Sequence, residues 1–373
     1  LGSMAYAMRD IVNRVTWTAG DTLVFNDPYL GGTHLPDVTL VSPVFVDGEL
    51  QAFVANRAHH ADIGAESPGS MPVSTSLMQE GLVLEPDFLI RNGEWNSALR
   101  QKIIGSARKP DESLGDFSAQ VSANMAGLQR LQTLIAKMQG DSFSRAVDAL
   151  NAYGESLARQ MLAKIPDGEY RFSDLLDDDG IGDSGILLRL LLTVDGEGCH
   201  LDFTGTAAQV GGNVNCPLSV TAAGVFYVFR CLMPPQTPAC AGIFRPISLY
   251  APEGTLLNAR FPAAVAAGNV ETSTRVVDLV CGALAQAIPD SMPAASHGSM
   301  NNLAMGVNGE QAWDYYETIG GGMGSGRNGG GLSAVQTHMT NTRNTPVEVL
   351  ESHFPIRVES YAIRHDSGGE GRR

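Results

Sequence analysis

Three of the chain's eight histidines, His34, His59 and His60, fall between residues 26 and 62, and Asp27, Asp37 and Asp62 stand close to them. Imidazole nitrogens and carboxylate oxygens together make the donor set of a divalent ion, and two nitrogens with one carboxylate suit zinc, manganese or iron. His34 and Asp37 are local partners across Leu35-Pro36, and His59 belongs to a later segment. A loop pair plus one ligand from a returning strand leaves open positions on the ion. Such an ion lowers the pKa of bound water to roughly 7 and polarises a carbonyl. His60 and Asp62 have two readings: one of them orients a ligand or acts as general base, or both are exposed polar loop residues. Asp27 is either an extra ligand, a carboxylate behind the ligands, or the cap of a turn through Pro28. Glu80 is a weaker base candidate and reads as a surface carboxylate.

The elements that must position these residues follow from local pattern. Thr22–Phe25 reads as a buried strand and Asp37–Pro43 as another. Val44–Val46 and Gln51–Ala55 flank Asp47-Gly48, a strong hairpin signal. That hairpin returns the chain, so His59 comes back to the neighbourhood of His34. Before it, Met4–Val15 has the spacing of a short amphipathic helix. After it, residues 63–98 read as loop-rich, with Glu80 among them. Apolar residues then recur every three or four positions from Leu114 to Met138 and again from Phe143 to Met161, which predicts two helices joined at Gly140-Asp141 with their apolar positions in the core. Tyr170–Phe172, Ile186–Val194 and Cys199–Phe203 read as antiparallel strands, and Ser219–Leu232 and Thr272–Ile288 as helices. The acidic run Asp174–Asp183 lacks the ligand register of an EF-hand and reads as a solvated turn.

The last third is punctuated by glycine. His297–Asn302, Gly320–Gly326 and His338–Thr345 read as loops, and the second lacks the Lys of a phosphate-binding loop, so nucleotide binding there is rejected. His338, Asn341, Arg343 and Asn344 are candidates for binding substrate or an oxyanion, with a polar network that fixes loop shape as the alternative. The pattern as a whole predicts a mixed α/β (α+β) fold. Residues 1–110 form a β-rich region with the metal site, 111–165 a helical segment, and 166–373 a mixed α/β region with glycine-rich loops. Both ends are abrupt and read as cuts in a longer chain.

With 43% hydrophobic and 17% charged residues the composition is globular. A formal charge of −15 argues against nucleic-acid or anionic-membrane surfaces. Five cysteines without a C-x-x-C pair fit reduced thiols in the cytoplasm, and no apolar run is long enough to cross a membrane.

Asn26-Asp-Pro-Tyr-Leu-Gly-Gly-Thr-His-Leu-Pro-Asp37, Asn56-Arg-Ala-His-His-Ala-Asp-Ile-Gly64 and Thr340-Asn-Thr-Arg-Asn-Thr-Pro346 strongly resemble the hydantoinase B/oxoprolinase family, as do Gly268–Ser273 and Met300–Asn302. The resemblance covers nearly the whole chain. It implies the metal-dependent B component of an ATP-dependent cyclic amidohydrolase, acting on a hydantoin, 5-oxoproline or similar lactam. An A-type partner with an actin-like ATPase fold would use ATP-Mg to phosphorylate the substrate's carbonyl oxygen, so a hetero-oligomer is implied. In the carboxylase branch of the family a His-x-x-Asp pair and a later His hold the metal, and here those positions are His34, Asp37 and His59. The rivals are the large subunit of a ketone carboxylase and a non-catalytic scaffold for the ATPase. The sequence departs from the family at Cys240, where asparagine is common, and at His297, where glutamine is common.

Overall fold

The computed structural model describes residues 2–67, 69, 71–138, 141–307, 313–340, 342–365 and 367. The Asp47-Gly48 hairpin is the spine of its N-terminal sheet. Strands β2 (Asp37–Val46) and β3 (Glu49–His59) run antiparallel from it. The two-residue connection works because Asp47 (φ 51°) and Gly48 (φ 83°) both take the left-handed conformation, which matches the twist of the flanking strands. With β1 (Thr22–Phe25), β4 (Asp87–Arg91) and β5 (Glu94–Trp95) they form a five-stranded sheet in the order β3-β2-β1-β4-β5. β4 and β5 correct the loop-rich reading of residues 63–98: Asn92-Gly93 is a second tight hairpin turn.

Strand alternation gives this sheet two apolar faces. Val24, Val38 and Leu40 pack with Leu35, Leu77 and Phe117 under helices α2 (Ser97–Ser106) and α3 (Pro110–Met138). Leu23, Phe25 and Val41 pack with Trp17 against α1 (Ser3–Ile11), which ends earlier than the apolar spacing suggests. α3 lies along β2 and β3, and α4 (Ser142–Leu162) follows it. The junction residue Gly140 lies outside the described residues. The two helices are where periodicity puts them, but their apolar positions are not all core. Phe117, Ile135 and Met161 are buried, whereas Met125, Leu134, Val147, Leu150 and Tyr153 are exposed. The 29 residues of α3 run about 44 Å, and only the stripe facing the sheet is covered.

A second sheet, β6-β7-β8-β9, carries the larger core. β6 (Gly168–Asp178), β7 (Ser184–Asp195) and β8 (Gly198–Asp202) are antiparallel, and β9 (Ile247–Tyr250) joins β8 in parallel. Leu188, Leu192 and Phe203 meet Phe229 of α5 (Leu218–Leu232) and Val276 and Leu284 of α6 (Glu271–Ala287). The acidic run is not simply a solvated turn. Its first half is the end of β6, and the buried Asp179 carboxylate accepts the backbone N–H groups of Ile181, Gly182, Asp183 and Gly212. The glycine-rich third is not all loop either. β10 (Asn301–Val307) and β11 (Trp313–Ile319) pair as a separate two-stranded unit, and α7 (Val347–His353) follows. All five cysteines are free. Among the described residues no helix is long and apolar enough to cross a membrane. The fold is thus mixed α/β, as the pattern predicts.

Candidate metal centre

Asp37 opens β2 and His59 closes β3, and the two are directly opposite one another. A small irregularity decides this. Near the turn Val46 pairs with Glu49 and Phe45 with Leu50, but Val44 pairs with Ala52, so Gln51 is an extra residue in β3. Without that bulge the regular register would set Ala58 opposite Asp37 and turn His59 to the other face of the sheet.

His34 arrives from the preceding loop. There Asp27 caps a short 3-10 turn, Pro28–Leu30, by accepting the Tyr29 N–H at 2.8 Å. Gly31 (φ 85°) lies so close to Ala7 that a side chain would collide with its backbone. This anchored loop delivers His34 into a buried position with Asp37 N–H donating to its carbonyl at 3.0 Å. His34 Nδ1 stands 3.1 Å from Asp37 Oδ2, and His59 Nδ1 stands 3.2 Å from Asp37 Oδ1. One donor atom from each of the three residues lies within 4.8 Å of the others, and this is the one group of its kind among the described residues. Donors about 2.1 Å from a shared ion are separated by roughly 3–3.5 Å, so the residues present fit a divalent cation with small adjustments. His34 is buried and His59 is exposed, so the open side of the group is on the His59 side.

Burial pushes the Asp37 carboxyl up, but the charge and hydrogen bonds of His34 and His59 outweigh it and hold it well below the usual carboxylate range. The carboxylate is therefore ionised, as a ligand must be. Thr33 Oγ1 also donates to Asp37 Oδ2. Arg57, one alternation along from His59, spans from Thr39 Oγ1 (2.8 Å) to Ser3 Oγ (3.0 Å) and the Gly31 carbonyl (3.2 Å), tying the hairpin to the loop and to α1. On the other side of His59 stands Tyr316 of β11. The His34 and His59 rings stack at 5.1 Å and the His59 and Tyr316 rings at 6.3 Å, with interplanar angles of 27° and 26°. Tyr316 is held by donating its hydroxyl to Asn302 Oδ1 at 2.8 Å.

The remaining candidates are placed elsewhere. His60 faces the opposite side of the sheet, buried against Phe117, with Nε2 at 2.8 Å from Gln120 Oε1; it is not an exposed loop residue. Asp62 has both oxygens occupied, Oδ1 by the Gly64 N–H and Arg108 Nη1, and Oδ2 by the Arg108 N–H. Asp27 is committed to its cap. Glu80 is not a surface carboxylate: it is fully buried and accepts from Ser74 Oγ and the Val265 and Ala266 N–H groups. His338 pairs with Asp278 of α6 at 3.3 Å, Asn344 donates to the Tyr361 hydroxyl, and Arg343 is exposed. Asn341 lies outside the described residues. The bonds of His338 and Asn344 reach neither His34, Asp37 nor His59.

Sequence reasoning passed over Thr33, Arg57, Gln120 and Tyr316. Thr33 and Arg57 stand inside the two motif strings and were findable there. Gln120 sits in an amphipathic helix and Tyr316 in an unrecognised strand, with no local signal of a role. One consequence is testable at once. Because Asp62 is tied to Arg108, Asp62→Asn is expected to leave turnover within about threefold and to cost about 1 kcal/mol of stability in urea unfolding. A hundredfold loss of turnover in a folded variant would return Asp62 to the catalytic set.

A sequence profile of the hydantoinase B/oxoprolinase family matches residues 1–373. An uncharacterised protein of Methanocaldococcus jannaschii is 38% identical over the whole of this chain and 66% of its own length. A 5-oxoprolinase of Dictyostelium discoideum is 36% identical over the whole of this chain and 29% of its own length. A putative D-/L-hydantoinase subunit of a Pseudomonas species is 34% identical over 96% of this chain and 62% of its own. The chain thus spans less than two thirds of these relatives. Among solved structures, the ATP-dependent caprolactamase of Pseudomonas jessenii superposes with a TM-score of 0.81 at 25% identity, over 97% of this chain and 64% of that one. An acetone carboxylase shares the fold at 0.80 and 16% identity, over 94% and 50%.

Proposed function

We propose, from the premise that this chain belongs to the hydantoinase B/oxoprolinase family, that it is the metal-dependent component of an ATP-dependent enzyme that opens a cyclic amide such as 5-oxoproline or a hydantoin. The observation that carries this reading is the group His34, Asp37 and His59, three donors of suitable chemistry within 4.8 Å on a hairpin end with one open side. A bound divalent ion would supply Lewis acidity toward a carbonyl and acidify bound water. The chain's own contribution is to hold that ion through the three side chains, to keep Asp37 ionised, and to wall the site with Tyr316.

ATP enters this reading through a partner. Cyclic amides are poor electrophiles, and phosphorylating the amide oxygen makes the carbon attackable and the nitrogen a better leaving group. An A-type polypeptide or domain with an actin-like ATPase fold is the proposed phosphorylating partner, in a cytoplasmic hetero-oligomer. The relative named as a 5-oxoprolinase supports the lactam, and the relative named as one subunit of a hydantoinase supports a separate partner.

The test is turnover by the full-length protein with its ATPase partner, ATP-Mg and added metal. Release of product from 5-oxoproline or hydantoin is expected, dependent on both ATP and metal, with no bicarbonate requirement. Bicarbonate-dependent consumption of acetone without lactam opening would place the protein with the ketone carboxylases. Stimulated ATP hydrolysis with neither reaction would make it a scaffold.

A further inference from the structure

The two strand-borne members of the metal group, Asp37 and His59, are each followed by a residue that faces the opposite side of the sheet, toward α3. Those residues are Val38 and His60. Gln120, on the buried face of α3, touches both of them and is itself 6% exposed. Its Nε2 donates to the Val38 carbonyl at 3.0 Å and to Asn56 Oδ1 at 2.7 Å, and its Oε1 accepts from His60 Nε2 at 2.8 Å. The amide is thus fully committed: both donors go to the strands and the acceptor to the imidazole. The orientation follows from its neighbours, because the Val38 carbonyl can only accept.

The loop end of the same hairpin is closed through Pro36. Its carbonyl accepts the Val38 N–H at 3.0 Å and the His60 N–H at 2.9 Å, so the turn bearing His34 and Asp37 and the end of β3 meet there. Beyond that bond the chain leaves the ladder, and β3 is the outer strand of its sheet. Outward of that bond no further strand braces the distance between Asp37 and His59. Gln120 does so from below. Farther along the same helix face, Asn124 makes a similar buried link, accepting from Asn56 Nδ2 at 2.8 Å and donating to Ser42 Oγ at 3.1 Å, but it grips the strands away from the ligand end.

We infer that Gln120 is a positioning residue for the metal centre: a single side chain from α3 clamps the residues immediately after Asp37 and His59 and so sets the spacing of the ligands. This rests on the reading of His34, Asp37 and His59 as a metal centre. Partners that orient ligands without touching the ion typically change affinity by roughly 10–100-fold when removed. A residue that merely fills the core lowers stability without selecting the ligand end.

The experiment compares Gln120→Met and Gln120→Glu with Asn124→Leu in the full-length protein. Dissociation constants for Mn²⁺ and Zn²⁺ are measured by calorimetry, and melting temperatures are measured without metal. Gln120→Met keeps the volume and loses every side-chain bond; Gln120→Glu keeps the acceptor for His60 and loses the donors to Val38 and Asn56, and it is the second arm if the first does not fold. Both Gln120 variants are expected to bind metal at least tenfold more weakly than the wild type. Asn124→Leu is expected to lower the melting temperature but to keep the dissociation constant within about twofold. Wild-type affinity in the folded Gln120 variants, or an equal loss in Asn124→Leu, overturns the clamp while leaving the metal centre intact. Absence of stoichiometric metal binding by the wild type is the separate outcome that removes the centre, and the clamp with it.

Discussion

Replacing His59 by alanine is expected to abolish stoichiometric divalent-metal binding and with it lactam turnover, while the protein stays folded. The expectation comes from the division of labour between the two histidines. His59 is 39% exposed at the end of an outer strand, so its truncation leaves a gap open to solvent rather than a closed cavity. His34 is 2% exposed, so His34→Ala removes a ligand and also opens a hole beside Asp37. Structural metal sites contribute about 10–16 kcal/mol in total, so one ligand of three or four is worth about 3–4 kcal/mol, or roughly 10²–10³ in affinity. Turnover should fall by at least that factor at limiting metal. Metal bound at a concentration 100 times the dissociation constant would stabilise the wild type by about 2.7 kcal/mol through mass action, and so raise its melting temperature. That metal-dependent rise should vanish in both variants. In metal-free buffer His34→Ala should melt lower than His59→Ala. Metal content measured on purified wild type, His34→Ala and His59→Ala decides the matter: equal content in all three would remove these residues as ligands.

The juxtaposition of His34, Asp37 and His59 was legible in the sequence because it is almost local. His34 and Asp37 share one loop, and a two-residue turn at Asp47-Gly48 is encoded by the two residues that form it. The hairpin therefore announces that His59 returns. It does not announce opposite which residue, since that depends on a one-residue bulge at Gln51, an exposed polar residue between Leu50 and Ala52 that carries no glycine or other local bulge signal. Alternation likewise separates His59 from His60 only once the register is known. Adjacent residues that look equivalent as catalytic candidates then part, one into the ligand group and one onto Gln120.

Gln120 and Tyr316 were illegible for a different reason. Their partners lie far along the chain, and neither residue type signals chemistry in a helix or strand. The strand pair β10–β11 was hidden by flanking glycines, although Trp313–Ile319 has the aromatic and β-branched residues that favour strands. The exposed apolar positions of α3 and α4 show the opposite failure. A helical period of apolar residues identifies the helix correctly, yet the period alone does not say how much of the stripe finds a covering element.

Glu80 gives the second large expected effect. The Gln79-Glu80-Gly81 string looks like a polar surface turn, but residues far along the chain close over it. Its carboxyl accepts from Ser74 Oγ (2.8 Å) and from the Val265 (2.8 Å) and Ala266 (2.9 Å) N–H groups, all on Oε1. Oε2 is buried with no hydrogen-bond partner among the described residues. Burial outweighs the three donors and pushes the carboxyl up to about 7. The sign follows from proton binding. Between the unfolded value near 4.5 and about 7 the folded chain holds a proton that the unfolded chain has released, so this group makes stability fall as pH rises through that window. The two values differ enough for an effect of about 3 kcal/mol, present in full below pH 4.5 and lost above pH 7. Glu80→Gln imitates the protonated form at every pH: the amide oxygen takes the three donors, and the amide nitrogen sits where the unpartnered oxygen was. The variant should therefore lose the part of the wild type's pH dependence that lies between about 5 and 8, and it should be the more stable protein at pH 8. Urea unfolding of both proteins at half-unit steps across that range tests this. Parallel curves, or a wild type more stable than Glu80→Gln at pH 8, would mean that the carboxyl is ionised in the fold and that its second oxygen has a partner such as bound water.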